Sequence, residues 1–146
     1  MILNQETEMK HVTWITALIV TLAFSTSIGA SDQTQSEMNE EACGKYKKAD
    51  AELNRVYQKI MRDYAGDKNF IQKMKIAQRA WIAFRDAHLD SLYPESDSQY
   101  HYGSVNPMCR CMELESLTQY RINLLREWAD GVQEGDVCSG SKKIRQ

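Results

Sequence analysis

Two prolines among 146 residues, and almost no strict apolar–polar alternation, leave little material for β-sheet. The chain carries no glycine-rich phosphate loop and no dinucleotide fingerprint, so nucleotide chemistry has no visible handle. No internal repeat suggests a solenoid. There is no basic excess: 18 Lys and Arg face 20 Asp and Glu, for a net charge of −2. That excludes the electrostatic footprint of a nucleic-acid binder and strong steering of any partner. The longest apolar run, Val12 to Phe24, falls short of the roughly 20 residues that span a membrane. Acids (Asp50, Glu52, Asp86) and histidines (His88, His101) are present, but no nucleophile, base and orienting group stand at a telling spacing. The chain reads as a non-enzyme that needs no cofactor and no metal.

What is present begins with a targeting signal. Lys10 and His11 precede the Val12–Phe24 run, and Ser25-Thr26-Ser27-Ile28-Gly29-Ala30 follows it. A basic start, an apolar stretch and small residues make residues 1–30 a secretory signal peptide. The expected destination is periplasmic or secreted, with no stable membrane span once the signal is removed. Cys43, Cys109, Cys111 and Cys138 all lie in the mature part, and an even count in an exported chain reads as two disulfides. The alternative, a metal held by Cys109-x-Cys111 with Cys138 or a histidine, has the wrong spacing for structural zinc.

The mature chain divides into a polar leader (31–36), a helical domain (37–131) and a tail (132–146). Helix one is expected from near Glu37 to Gly66, with Gly66 as a C′ glycine and Tyr46, Ala49, Leu53, Val56, Tyr57, Ile60 and Tyr64 as its stripe. Asp67 caps helix two, Lys68 to Leu92, which Pro94 stops. Its stripe reads Phe70, Met74, Ala77, Trp81, Phe84 and His88, with Gln78 and Arg85 at the margin. Trp81 and Trp128 are the core tryptophans. A structureless loop, 94–105, is acidic at Glu95 and Asp97 and aromatic at Tyr100, His101 and Tyr102. Asn106 caps helix three, with Pro107 at its first position, and Met108, Met112, Leu114, Leu117, Arg121, Leu124, Leu125 and Trp128 mark its inward side. Gly131 ends it, and Cys138 is the tail's only evident anchor.

Short connections predict an all-α fold, an antiparallel up-down-up three-helix bundle with disulfides. Cys43 is then level with Cys109 and Cys111, and pairing with one of these two is favoured. Cys138 belongs to the far end, and its partner stays open. Polar residues stand beside each stripe: Asp50 and Asn54, Gln78 and Arg85, Thr118 and Arg121. Three- and four-residue spacings put each pair on one helix face. Together they read as a buried network that fixes helix register, and Arg85→Ala is expected to strand a buried carboxylate.

These motifs occur in a recognisable order. Thr34-Gln35-Ser36-Glu37-Met38-Asn39 with Cys43 is followed by Ala49-Asp50-Ala51-Glu52-Leu53-Asn54-Arg55-Val56-Tyr57. Then come Ala77-Gln78-Arg79-Ala80-Trp81-Ile82-Ala83-Phe84-Arg85-Asp86-Ala87, Gly103-Ser104, and Leu117-Thr118 with Arg121. The chain resembles the family of exported helical proteins named for the lysozyme inhibitor LprI. The resemblance implies a small extracytoplasmic helical domain that binds and inhibits lysozyme. The cysteines depart from the family pattern, which would place one where His88 stands and a single one before Leu117-Thr118. An inhibitor could meet a basic lysozyme rim with Glu95 and Asp97 and press Tyr100, His101 and Tyr102 into the cleft. The alternative is an envelope or host-interaction helical module with another protein partner.

Overall fold

The computed structural model describes residues 33–145, so the expected signal peptide, 1–30, lies outside the described residues. Four helices follow one another: α1 (Gln35–Asp63), α2 (Lys68–Leu92), α3 (Ser98–Tyr102) and α4 (Asn106–Ala129). α1 starts two residues before Glu37 because Thr34 and Glu37 form a reciprocal capping box. Thr34 N–H donates to Glu37 Oε2 at 2.8 Å, and that bond holds the Glu37 carboxyl below its usual pKa. α1 stops at Asp63, with Tyr64 as its cap, and Gly66 does not take a left-handed conformation. Asp67 caps α2 by accepting from Phe70 N–H at 2.9 Å. The expected structureless loop contains α3, capped by Asp97, which accepts from Tyr100 N–H at 3.0 Å.

α1 and α4 pack along their length and run parallel. Cys43 is bonded to Cys111 near their starts, Arg126 reaches Glu52 at 3.1 Å further along, and Lys59 donates to the Ala129 carbonyl near their ends. α2 runs against both: Phe70 stacks on Tyr64 at 4.3 Å, while Arg85 reaches back to Tyr46 and Asp50. The core cluster belongs mainly to the α1–α4 seam. Ala49, Leu53, Val56, Ile60 and Tyr64 meet Ile122, Leu125 and Ala129, with only Met74 from α2.

Small and branched residues (Ala49, Ala129, Val56, Ile122) take the seam because two backbones approach closely there. This turns α4 from its expected face. Thr118, Ile122, Leu125 and Ala129 are buried, Leu114, Leu117 and Leu124 flank them, and Met112 is exposed. α2 is turned as well. Its inward line is Met74, Gln78, Trp81, Arg85 and Leu89, so Gln78 and Arg85 stand at the centre of the face and not at its margin. Phe84 is 55 % exposed, and Trp81 and Trp128 lie partly buried against the cluster without entering it.

Among the described residues there is one disulfide, Cys43–Cys111, while Cys109 and Cys138 are unpaired thiols. Cys109 opens α4 and Cys138 follows its end, about 30 Å of helix apart. The tail then holds Cys138 at that far end. Val132 N–H donates to Lys143 C=O and Arg145 N–H to Val132 C=O, each at 2.8 Å. Trp128 Nε1–H donates to Ser141 Oγ at 3.0 Å, and Lys143 lies over the Tyr64 ring. These contacts, not Cys138, anchor the tail. Gly131 permits them: its φ is +81°, and a Cβ there would stand 2.8 Å from the Lys143 carbonyl oxygen.

Leu125→Ala should cost about 2–5 kcal/mol, whereas Phe84→Ala should stay within about 0.5 kcal/mol, measured by urea denaturation. Equal losses would show that α2 faces inward through Phe84. Replacing Cys43 and Cys111 together by Ser releases a link that spans 68 residues. Chain entropy sets the expected loss at about 4 kcal/mol in the same assay, and an unchanged midpoint would contradict it.

Candidate functional site

The polar residues singled out from sequence fall into two groups. Arg85 is the hub of the first, its side chain 15 % exposed and its guanidinium 5.4 Å from the Trp81 ring centroid. It bonds Asp86 at 2.8 Å, reaches the Tyr46 hydroxyl at 3.5 Å, and lies 3.9 Å from Asp50. Asn54 donates to Asp50 Oδ2 at 3.2 Å. The second group is Arg121 and Gln78, joined at 3.0 Å. Thr118 is fully buried between the helices, yet its Oγ1 has no hydrogen-bond partner.

The carboxylates of the first group are not buried. The side chains of Asp50 and Asp86 are 42 % and 57 % exposed. Removing Arg85 therefore leaves both acids in water, contrary to the stranded carboxylate expected from sequence. Asn106 is not a cap either: α4 begins at Asn106 with Val105 in the cap position and no side-chain cap bond. Asn106 is instead buried, with Nδ2 unpaired. His88 faces Glu113 of α4 at 3.2 Å, which ties α2 to α4.

Between α2 and α4 the chain offers a compact aromatic knob. Tyr102 is half-buried, packs edge-on against Tyr93 at 5.3 Å, and its hydroxyl accepts from Glu95 N–H at 3.2 Å. Arg110 covers the Tyr93 ring at 5.4 Å. Burial raises the Tyr93 hydroxyl pKa, so the ring stays neutral. This brace leaves Tyr100 outermost, 81 % exposed, with the His101 ring edge-on to it at 5.1 Å. Glu95 stands 3.9 Å from His101. Of the five loop candidates, Tyr100, His101 and Glu95 are thus presented outward, whereas Asp97 caps α3 and Tyr102 holds the loop in shape. Periodicity carries no sign of the Tyr93–Tyr102 pairing, because the two rings stand outside any shared helix.

No group of three or more His, Cys, Asp or Glu among the described residues is arranged to hold a metal. No described helix is long and apolar enough to cross a membrane.

The family model described as lysozyme inhibitor LprI matches residues 27–125. The chain belongs to the LprI family. No curated protein and no solved structure matches it. The family match takes in α1, α2, α3 and most of α4. Trp128 and the tail that clasps it lie beyond the matched range. Cys43 and Cys111 fall inside it, so the observed disulfide closes within the LprI region.

Arg85→Ala should cost roughly 1 kcal/mol in denaturant unfolding, from lost contact with Trp81 and a weak ion pair. A loss of several kcal/mol would restore the buried-network reading.

Proposed function

We propose that this chain is an exported, non-enzymatic binding protein that inhibits lysozyme through the segment around α3. The observation that carries the reading is the family match over residues 27–125, whose description is that of a lysozyme inhibitor. Supporting it, Tyr100 projects from a short helix that Tyr102 braces from behind. A rigid, exposed aromatic beside a histidine and a carboxylate is the composition of a binding hot spot. Residues 1–30 are taken as the export signal; the polar leader expected over 31–36 gives way to α1 after the Thr34 cap, with Gln35 and Ser36 already helical. The helical domain then reads as an up-down-up three-helix bundle of α1, α2 and α4, supported by the residue pairs along the parallel α1–α4 seam and the reversed α2. The partner is a protein. Neither nucleic acid nor a cofactor enters the reading.

The test is titration of the purified, oxidised protein against a c-type lysozyme, following both cell-wall lysis and direct binding. Stoichiometric inhibition is expected. Tyr100→Ala should weaken binding at least about tenfold with unchanged thermal stability. Tyr102→Ala should weaken binding and also loosen the segment, seen as faster proteolysis between Pro94 and Gly103. Absence of binding at micromolar concentration would sink the lysozyme reading and leave a helical envelope or host-interaction module with another protein partner.

A further inference from the structure

Arg121 differs from the arginines that the fold engages through ion pairs. Arg85 has Asp86 and Asp50, while Arg55 and Arg126 share Glu52. Among the described residues no carboxylate lies within ion-pair distance of Arg121. It is nonetheless half-buried, and that burial pushes its guanidinium pKa down from the ordinary arginine value. Its Nε–H donates to the buried Gln78, which fixes the plane of the fork, while its Nη groups make no hydrogen bond within the described residues and are not sealed in the core. A partly desolvated cation held in one orientation, with its forward donors unused, is arranged for an anion that the chain does not supply.

The space beside it has the matching character. A groove of about 220 Å³ between α2 and α4 is walled by Phe70, Met74, Ala77 and Trp128, with Arg121 and Lys73 as its charged lining. Two cations and no acid line it. The walls are mostly apolar, so the groove favours a ligand with a greasy body and one negative end. Its volume is below the roughly 300–1,000 Å³ of sites for drug-sized ligands, which limits the body to about one ring.

We propose that this groove binds a small free carboxylic acid with a single apolar ring. The carboxylate accepts from the Arg121 Nη groups, with Lys73 adding positive charge at the rim, and the ring rests against Phe70, Met74 and Trp128. Two of the residues involved, Trp128 and its hydrogen-bond partner Ser141, lie outside the LprI match. The groove shares no lining residue with the α3 segment, so its test stands apart from the lysozyme reading.

The probe is 3-phenylpropionate, titrated into the full chain while the indole N–H resonances are followed by NMR. Its neutral isostere, 3-phenylpropanamide, serves as the control. The acid should bind with Kd of about 1 mM or tighter and shift the Trp128 resonance. The amide should bind at least about tenfold more weakly, because it cannot form charge-assisted bonds. Arg121→Gln should abolish the preference for acid over amide. Should that variant fail to fold, Ala77→Trp carries the test: it fills the groove from an exposed position and keeps Arg121, and it should lose the acid altogether. No binding up to about 10 mM overturns the proposal, since that is weaker than even a poor fragment of this size. So does equal binding of acid and amide, or unaltered binding by Ala77→Trp.

Discussion

The fold depends on close contact between two parallel helices. α1 and α4 touch along most of their length and point the same way, so they cannot be joined by a short turn. The chain has to travel back about 40 Å before α4 can begin, and α2 is the element that does so. This explains the unequal roles of the helices. α1 and α4 supply the small and branched residues of a tight seam, and α2 lies across it with Met74 buried in the cluster, Phe70, Ile71 and Trp81 partly buried against it, and two polar residues, Gln78 and Arg85, on the same face. The disulfide fixes one end of the seam, with Cα atoms 4.9 Å apart, and the tail clasp fixes the other.

Helix positions were legible in the sequence because their punctuation is chemical: Asp67 as a cap, Pro94 as a stop, and Gly131 as a left-handed residue past α4. Helix faces were harder to read. The stripe through Ala77, Phe84 and His88 and the line through Gln78, Trp81, Arg85 and Leu89 differ by a small rotation of the same helix. Hydrophobicity favours the first. The structure takes the second, since Arg85 and Gln78 find partners on α1 and α4 whereas Phe84 finds none there. Apolar periodicity by itself cannot register a partner contributed by another helix.

The cysteines show the same limit from another side. An even count suggested two links, and level placement along the helices pointed to Cys43 with Cys109 or Cys111. Helical geometry then discriminates between the two, because residues two apart face nearly opposite directions. Cys111 turns toward α1 and bonds Cys43, and Cys109 stays a partly buried free thiol. The loop candidates divide in a similar way. A list of exposed-looking polar and aromatic residues does not reveal which ones brace and which ones project, and that distinction rests on the Tyr93–Tyr102 contact across eight residues of chain.

The parallel seam also has an electrostatic consequence. Each helix carries a macrodipole equivalent to about half a charge at either end. The dipoles of α1 and α4 add, and α2 cancels one of them, leaving about one helix's worth along the long axis. Its negative end is where Lys59 donates to the Ala129 carbonyl, Lys143 to Asp63 C=O and Arg145 to Gly131 C=O. Its positive end is where Glu37 and Glu41 gather on α1, with Glu95 and Asp97 beside α3. A net charge of −2 thus conceals local complements to the dipole, even though Lys45 stands among the acids of the first pole and Asp130 and Asp136 among the bases of the second, and the α3 pole turns Glu95 and Asp97 toward an approaching partner.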